Sequence, residues 1–188
     1  MKSSASIWCV LCVVAALLTS GCAMQDSIDK PVNSAITSGL QPGDDIVPWN
    51  PIHVSGPDAG TNACPVCTYG ERPAIVIFAQ NGPDAGQLAE KLDALVVQQK
   101  ARQLKGFLIV LGTDPASLKQ MASAINAPHI GICYPDPATL AQDLKSYKIS
   151  PAAKNTVIIY KNYKVSSNFV DLPADRFDEV SEAVSKLQ

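Results

Sequence analysis

What most constrains this chain is a series of short, wholly apolar runs that recur between helical patterns. "AIVIFA" (Ala74–Ala79) and "FLIVLG" (Phe107–Gly112) are of strand length and contain no polar side chain. A strand with one wet face alternates apolar and polar residues, so runs without alternation predict strands covered on both faces. Between them Leu88, Leu92, Leu95 and Val96 fall on one face of a helix, with Asp84 as the expected N-cap. After the second run, Asp114 followed by Pro115 predicts another helix start, because proline at the first helical position loses no hydrogen bond. Leu118, Met121, Ala122 and Ile125 form that helix's buried stripe.

The alternation continues to the end of the chain. "HIGICY" (His129–Tyr134) reads as a third strand. Asp136-Pro137 repeats the cap signal and predicts a helix through Leu140, Leu144 and Tyr147. "NTVIIY" and "KVSSNFV" predict a hairpin turning at Lys161–Tyr163. A closing helix from Ala174 buries Phe177, Val180, Val184 and Leu187. Upstream, "PIHVS" is a weaker strand that Pro51 assigns to a sheet edge. Apolar strands joined through helices imply parallel neighbours connected by right-handed crossovers, and the terminal hairpin adds an antiparallel side. The expected fold class is therefore α/β, a central mixed sheet with helices on both faces. "GPDAG" occurs at 56–60 and again at 82–86, in different flanks, and reads as two turns.

The N-terminal residues stand apart from this pattern. Lys2 precedes twelve apolar residues, "IWCVLCVVAALL", too short to span about 30 Å of hydrocarbon but suited to a signal peptide. "LTSGC" then resembles a bacterial lipobox, although Thr19 stands where that pattern prefers Leu. The expectation is a lipoprotein signal peptide over 1–21 and a lipidated Cys22, with cleavage and plain secretion as the alternative. Cys9 and Cys12 would leave with the leader. Residues 22–45 are rich in Ser, Asp, Asn, Gly and Pro and read as a flexible tether. One domain, 46–188, follows, with Trp49 anchoring its start.

Lys2 is the leader's one charge, so 14 of the 15 basic residues remain against 17 acidic ones and the formal charge is −3. Neither a basic patch of nucleic-acid type nor a phosphate loop appears, and no cofactor is implied. The domain keeps three cysteines, Cys64, Cys67 and Cys133. In "ACPVCTYGERP", Cys64 precedes Pro65 and Gly70 stands six residues on, which predicts a single helical turn capped by Cys64. The amides at that turn would favour a thiolate on Cys64, and Arg72 would add to the effect. Exchange would then use Cys64 as the attacking thiol and Cys67 as the resolver. The same spacing equally suits a structural disulfide stiffening the loop. A metal site is the weakest option, since zinc wants four ligands and only His53, His129 and Cys133 remain. Cys133 reads as a small buried apolar residue, and the two histidines as partly exposed, hydrogen-bonded residues.

The succession of elements from Ala74 onward looks like a thioredoxin-like fold with the extra strand and helix of peroxiredoxin-like relatives. More narrowly, "HVSGPDAGTNACPVCTYGERPAIVIFA" resembles a family of secreted bacterial thioredoxin-like proteins. These share a Gly-Pro-Asp-x-Gly turn, a C-x-x-C, a Tyr-Gly, and a basic residue with Pro before the first strand. The resemblance implies that Cys64, Cys67, Tyr69, Gly70 and Pro73 are family features, and it carries no defined reaction. Thioredoxins place the dithiol after the first core strand, where this chain has "QNGPDAG". They also set a cis-proline directly before the facing strand, whereas Pro151 is separated from "NTVIIY" by "AAKN". The pair is thus expected at the starting pole of the sheet, and Cys133 near the other. Two functions remain open. One is membrane-anchored, extracytoplasmic thiol–disulfide exchange with an unknown protein partner in the periplasm or at the outer membrane. The other is a non-catalytic interaction or scaffold domain stapled by Cys64–Cys67.

Overall fold

Each apolar run becomes a strand because its two faces supply two separate cores. The computed structural model describes residues 36–187. The expected signal peptide, Cys22 and the first part of the expected tether lie outside the described residues. The strands are β1 (Ile52–Ser55), β2 (Ala74–Gln80), β3 (Lys105–Leu111), β4 (Gly131–Tyr134), β5 (Asn155–Lys161) and β6 (Lys164–Val170). They form one six-stranded sheet in the order β1-β4-β3-β2-β5-β6. β2, β3 and β4 run parallel, while β1, β5 and β6 pair antiparallel. The mixed sheet expected from the sequence is present, with β1 at an edge.

Alternate residues of β2 divide between the two faces. Ile75, Ile77 and Ala79 pack beneath α2 (Pro83–Gln98), α3 (Pro115–Ala124) and α5 (Asp178–Ser185). Leu88, Leu92, Leu118, Val180 and Val184 complete that core, all buried. Each such side chain contributes about 1.5–3 kcal/mol relative to exposure. Ala74, Val76 and Phe78 face the opposite way, beneath α1 (Pro65–Tyr69), α4 (Leu140–Ser146) and the N-terminal segment.

Helix starts follow local hydrogen bonding, which proline alone does not determine. Asp114 caps α3 as expected, its Oδ1 accepting from the amides of Ala116 and Ser117 at 2.9 and 3.0 Å. Asp84 does not cap α2. The cap is Gly82, Pro83 takes the first position, and Asp84 sits in the first turn, where its charge suits the helix's positive end. The second "GPDAG" therefore opens a helix instead of making a free turn. Asp136 does not open α4 either. Its Oδ1 accepts from Ala138 N–H and holds a separate turn, and the helix begins three residues beyond Pro137. A short 3-10 turn (Ala174–Arg176) precedes α5 where one continuous helix was expected.

The expected tether boundary at 45 falls too late. Ser38 and Leu40 are buried, and the Ser38 hydroxyl lies 2.6 Å from Thr156 Oγ1. Asn168 Nδ2 donates to the Ser38 and Leu40 carbonyls at 2.8 Å each, and Asp45 forms a bridge with Lys164. Asn168 and main-chain groups of Lys148 and Val165 satisfy this segment's backbone, and Thr156 meets the Ser38 hydroxyl, so its polar composition costs little. Residues 38–45 belong to the domain.

Trp49 packs where its anchoring role was expected, with its ring 5.4 Å from Phe78 and 5.5 Å from Tyr147. The Tyr147 hydroxyl donates to the Val47 carbonyl at 2.6 Å, tying α4 to the entry segment. Burial pushes this phenol well above its ordinary pKa, so it remains a donor at every working pH. Tyr147→Phe is expected to cost about 1–3 kcal/mol in a urea melt, because the Val47 carbonyl loses its partner. A variant as stable as the parent would show that water replaces the hydroxyl.

Candidate functional site

Pro65 and Gly70 bracket α1 as the sequence predicts. Cys64 is the N-cap, and its Sγ accepts the Cys67 N–H at 3.0 Å. The two sulfurs are bonded, with Cα atoms 5.2 Å apart. Cys64 is 9 % exposed and lies in the core beneath the sheet, whereas Cys67 is exposed. This accessibility is the reverse of what the cap position alone suggests. A cap residue that also faces the sheet is shielded, and the cysteine one turn later faces water.

The pair sits at the start of β2, as expected from its place in the chain. The Tyr163 amide, in the β5–β6 turn, donates to the Gly70 carbonyl at 2.9 Å, and the Lys105 amide to the Pro73 carbonyl at 3.0 Å. Gly70 is required here. A Cβ at that position would stand 2.2 Å from the Tyr163 ring. Tyr163 itself has a φ of 63°, and it is 43 % exposed. Cys67, Glu71, Arg72 and Tyr163 line a groove of about 290 Å³. The exposed sulfur thus has an aromatic ring and a cation in its surroundings. The Arg72 guanidinium lies over the Tyr69 ring, 5.6 Å from its centroid, and Lys105 Nζ lies over the same ring at 4.8 Å. The Tyr69 hydroxyl donates to Asp58, and burial together with that carboxylate raises its pKa.

The segment from β1 to α1 is held by a residue whose role sequence reading missed. His53, expected to be partly exposed, is 1 % exposed. Its Nε2 lies 3.0 Å from the Ala63 carbonyl, one residue before Cys64, and its Nδ1 lies 3.2 Å from Cys133 Sγ. A carbonyl only accepts, so Nε2 carries the hydrogen and Nδ1 accepts from the Cys133 thiol. Register places His53 opposite Cys133 and Cys133 beside Ile109, mid-strand in β3. Cys133 is therefore nearer the middle of the sheet than expected, in the same buried cluster as Cys64. Gly60 and Thr61 bond to edge strand β1 and bring Cys64 onto the sheet face, which the chain order did not reveal. His129 is exposed, with Nδ1 3.0 Å from Asp93.

Burial pushes the Cys133 thiol well up, with a smaller push from Asp58. Folded protein at pH 8.5 is expected to leave Cys133 unalkylated by iodoacetamide, while denatured protein is modified fully, as mass spectrometry would read. Rapid native modification would contradict the buried His53–Cys133 contact. Because the folded value lies above the unfolded one, this contribution to stability is complete below about pH 8.5 and declines as pH rises beyond it.

At the other end of β2, about 20 Å away, lies a crevice of about 550 Å³ lined by Gln80, Leu111, Tyr134, Leu140 and Pro151. Strand ends of parallel sheets ordinarily present ligand crevices there. This one holds no cysteine, and Pro151 faces it, not α1.

Similarity to solved structures decides the fold. A putative thiol:disulfide interchange protein DsbE from Chlorobium tepidum matches with a TM-score of 0.60 at 13 % identity, over 77 % of this chain and 99 % of its own. The fold is thioredoxin-like. A thioredoxin domain of a thiol-disulfide oxidoreductase from Bacteroides vulgatus gives 0.62 at 14 % identity, over 77 % and 99 % of the two chains. The peroxidoxin BcpB from Mycobacterium tuberculosis gives 0.61 at 15 %, over 79 % and 99 %. No family model and no curated protein matches the chain. This thioredoxin-like domain therefore carries its cysteine pair ahead of β2, at the pole opposite the carboxyl-end crevice. Among the described residues no helix is long and apolar enough to cross a membrane.

Proposed function

We propose that this domain performs thiol–disulfide exchange on the extracytoplasmic side of a bacterial membrane, held there by a lipid on Cys22. The working bond is Cys64–Cys67. The observation that carries the reading is the unequal exposure of its two sulfurs. An incoming thiolate attacks the exposed Cys67 Sγ and forms a mixed disulfide. The electron pair of the broken bond leaves on Cys64, where the Cys67 amide 3.0 Å away stabilises it. A second thiolate of the partner then attacks the mixed disulfide at the partner's own sulfur and releases Cys67. The partner loses two electrons and the domain gains them; run backwards, the same steps reduce a partner disulfide. The leader, the C-x-x-C spacing and the oxidoreductase names of two structural neighbours support this reading. The partner is a protein thiol or disulfide, and the acidic balance of the chain argues against nucleic acid.

A scaffold role with a structural disulfide is the second reading, favoured by the distance of the pair from the carboxyl-end crevice. Mixing the reduced protein with glutathione disulfide separates the two. Exchange requires a transient glutathione adduct on Cys67, followed by closure of Cys64–Cys67 and release of two glutathiones. A reduced protein that stays reduced would support the scaffold role instead.

A further inference from the structure

We propose that the cleft beside the disulfide is a subsite for the carboxylate of an anionic thiol substrate, an inference that rests on the exchange reading above. The cleft has a volume of about 540 Å³, and Arg72, Lys100, Lys105 and His129 line it together with Val97 and Leu104. Three basic side chains, Arg72, Lys100 and Lys105, line it in a chain whose formal charge is −2. Two of the surrounding carboxylates are already engaged, and Glu71 lines the neighbouring groove instead of this cleft. Asp58 accepts the Tyr69 hydroxyl, and Asp93 accepts the His129 amide at 2.6 Å and contacts its ring at 3.0 Å. Among the described residues, no carboxylate forms an ion pair with Arg72, Lys100 or Lys105.

Each of the cleft's features suits one part of such a ligand. Arg72 and Lys105 both lie over the Tyr69 ring, at 5.6 and 4.8 Å, which holds two of the cations close together. Val97, 49 % exposed, offers an apolar wall for a short aliphatic stem. Arg72 also borders the groove that contains Cys67, so it forms the wall shared by the two depressions. A substrate whose sulfur enters the groove therefore directs a neighbouring carboxylate past Arg72 into the cleft. The carboxylate can come from an acidic residue beside a protein cysteine or from a small thiol acid.

The test measures reduction of Cys64–Cys67 in the full chain by 3-mercaptopropionate, 2-mercaptoethanol and cysteamine. Each rate is divided by that thiol's rate on hydroxyethyl disulfide, which removes differences in intrinsic reactivity. Two molecules of thiol are consumed, one small disulfide forms, and both protein sulfurs become thiols. The anionic thiol is expected to exceed the cationic one by about tenfold at low salt and to approach it at about 0.5 M salt. Combined Lys100→Gln and Lys105→Gln substitution should lower that ratio at least about threefold, while Lys119→Gln on α3 leaves it unchanged. Peptides with Glu or Gln beside a cysteine form the second arm. A Glu preference there assigns the site to protein substrates, and a preference confined to the small thiol assigns it to small acids. Equal or reversed charge preference in the parent overturns the subsite. If even the neutral thiol leaves the disulfide intact, the exchange reading fails by itself, and 3-(methylthio)propionate then tests the cleft without a thiol. Shifts in the Val97, Lys100 and Leu104 amide resonances at millimolar ligand would support the subsite, and their absence would overturn it.

Discussion

Cys64→Ser is expected to turn the protein into a trap that accumulates a stable mixed disulfide on Cys67. Cys67→Ser is expected to react with glutathione disulfide at least about a hundredfold more slowly, because rate follows access to the sulfur as well as thiolate character. The contrast arises from packing. Cys64 faces the sheet among Val66, Phe107 and Cys133, whereas Cys67 opens on the groove beside Tyr163. Neither substitution should unfold the domain. A ring this small contributes about 2 kcal/mol through chain entropy. Serine is also a favoured N-cap, so Cys64→Ser keeps an acceptor for the Cys67 amide. Mass spectrometry after timed quenching reads both rates. Equal trapping by the two variants would refute the assignment of the exposed sulfur.

Gly56→Ala is expected to be the most damaging single change in the loop that leads to the disulfide. Gly56 has a φ of 87°, and an added Cβ would stand 1.9 Å from the Ile130 carbonyl oxygen. Both the backbone conformation and the space are closed to a side chain, and the obstruction is main chain at the entry to β4. A cost of about 3 kcal/mol or more follows from strain and displacement together. The damage should spread along the loop. Gly60 N–H donates to the His53 carbonyl and His53 N–H to Thr61, so moving Gly56 loosens the ladder that positions Ala63 and then Cys64. The measurement is a urea melt paired with hydrogen exchange at Cys67 and Thr68. Unchanged stability would mean that the loop moves without resistance.

The layered fold was legible because β2, β3 and β5 are apolar on both faces, a pattern only a covered sheet explains. The α1 cap was legible too, since Cys64, Pro65 and Gly70 specify a helical turn through local chemistry. What escaped sequence reading depends on contacts distant in the chain. His53 meets Cys133 across 80 residues, through an edge pairing that no local pattern announces. Residues 38–45 look disordered by composition, and they are ordered through bonds to Asn168, Thr156, Lys148 and Val165, all more than a hundred residues away. Asp84 and Asp136 carry the letters of a cap, yet neither starts a helix. Whether such a side chain caps a helix or holds a separate turn depends on the turn geometry, and Asp-Pro spacing does not encode that geometry. The relative exposure of Cys64 and Cys67 follows from which side of α1 meets the sheet, and the Val66 and Tyr69 contacts settle that only in three dimensions.

The most direct measurement is equilibration of the folded, full-length protein in glutathione redox buffers, with the Cys64–Cys67 bond quantified after acid quench. An exchanging pair should have a reduction potential between about −120 and −270 mV, the span of known thiol–disulfide oxidoreductases. A potential below about −300 mV, with the bond intact in every buffer, would contradict the account and leave the disulfide as a staple.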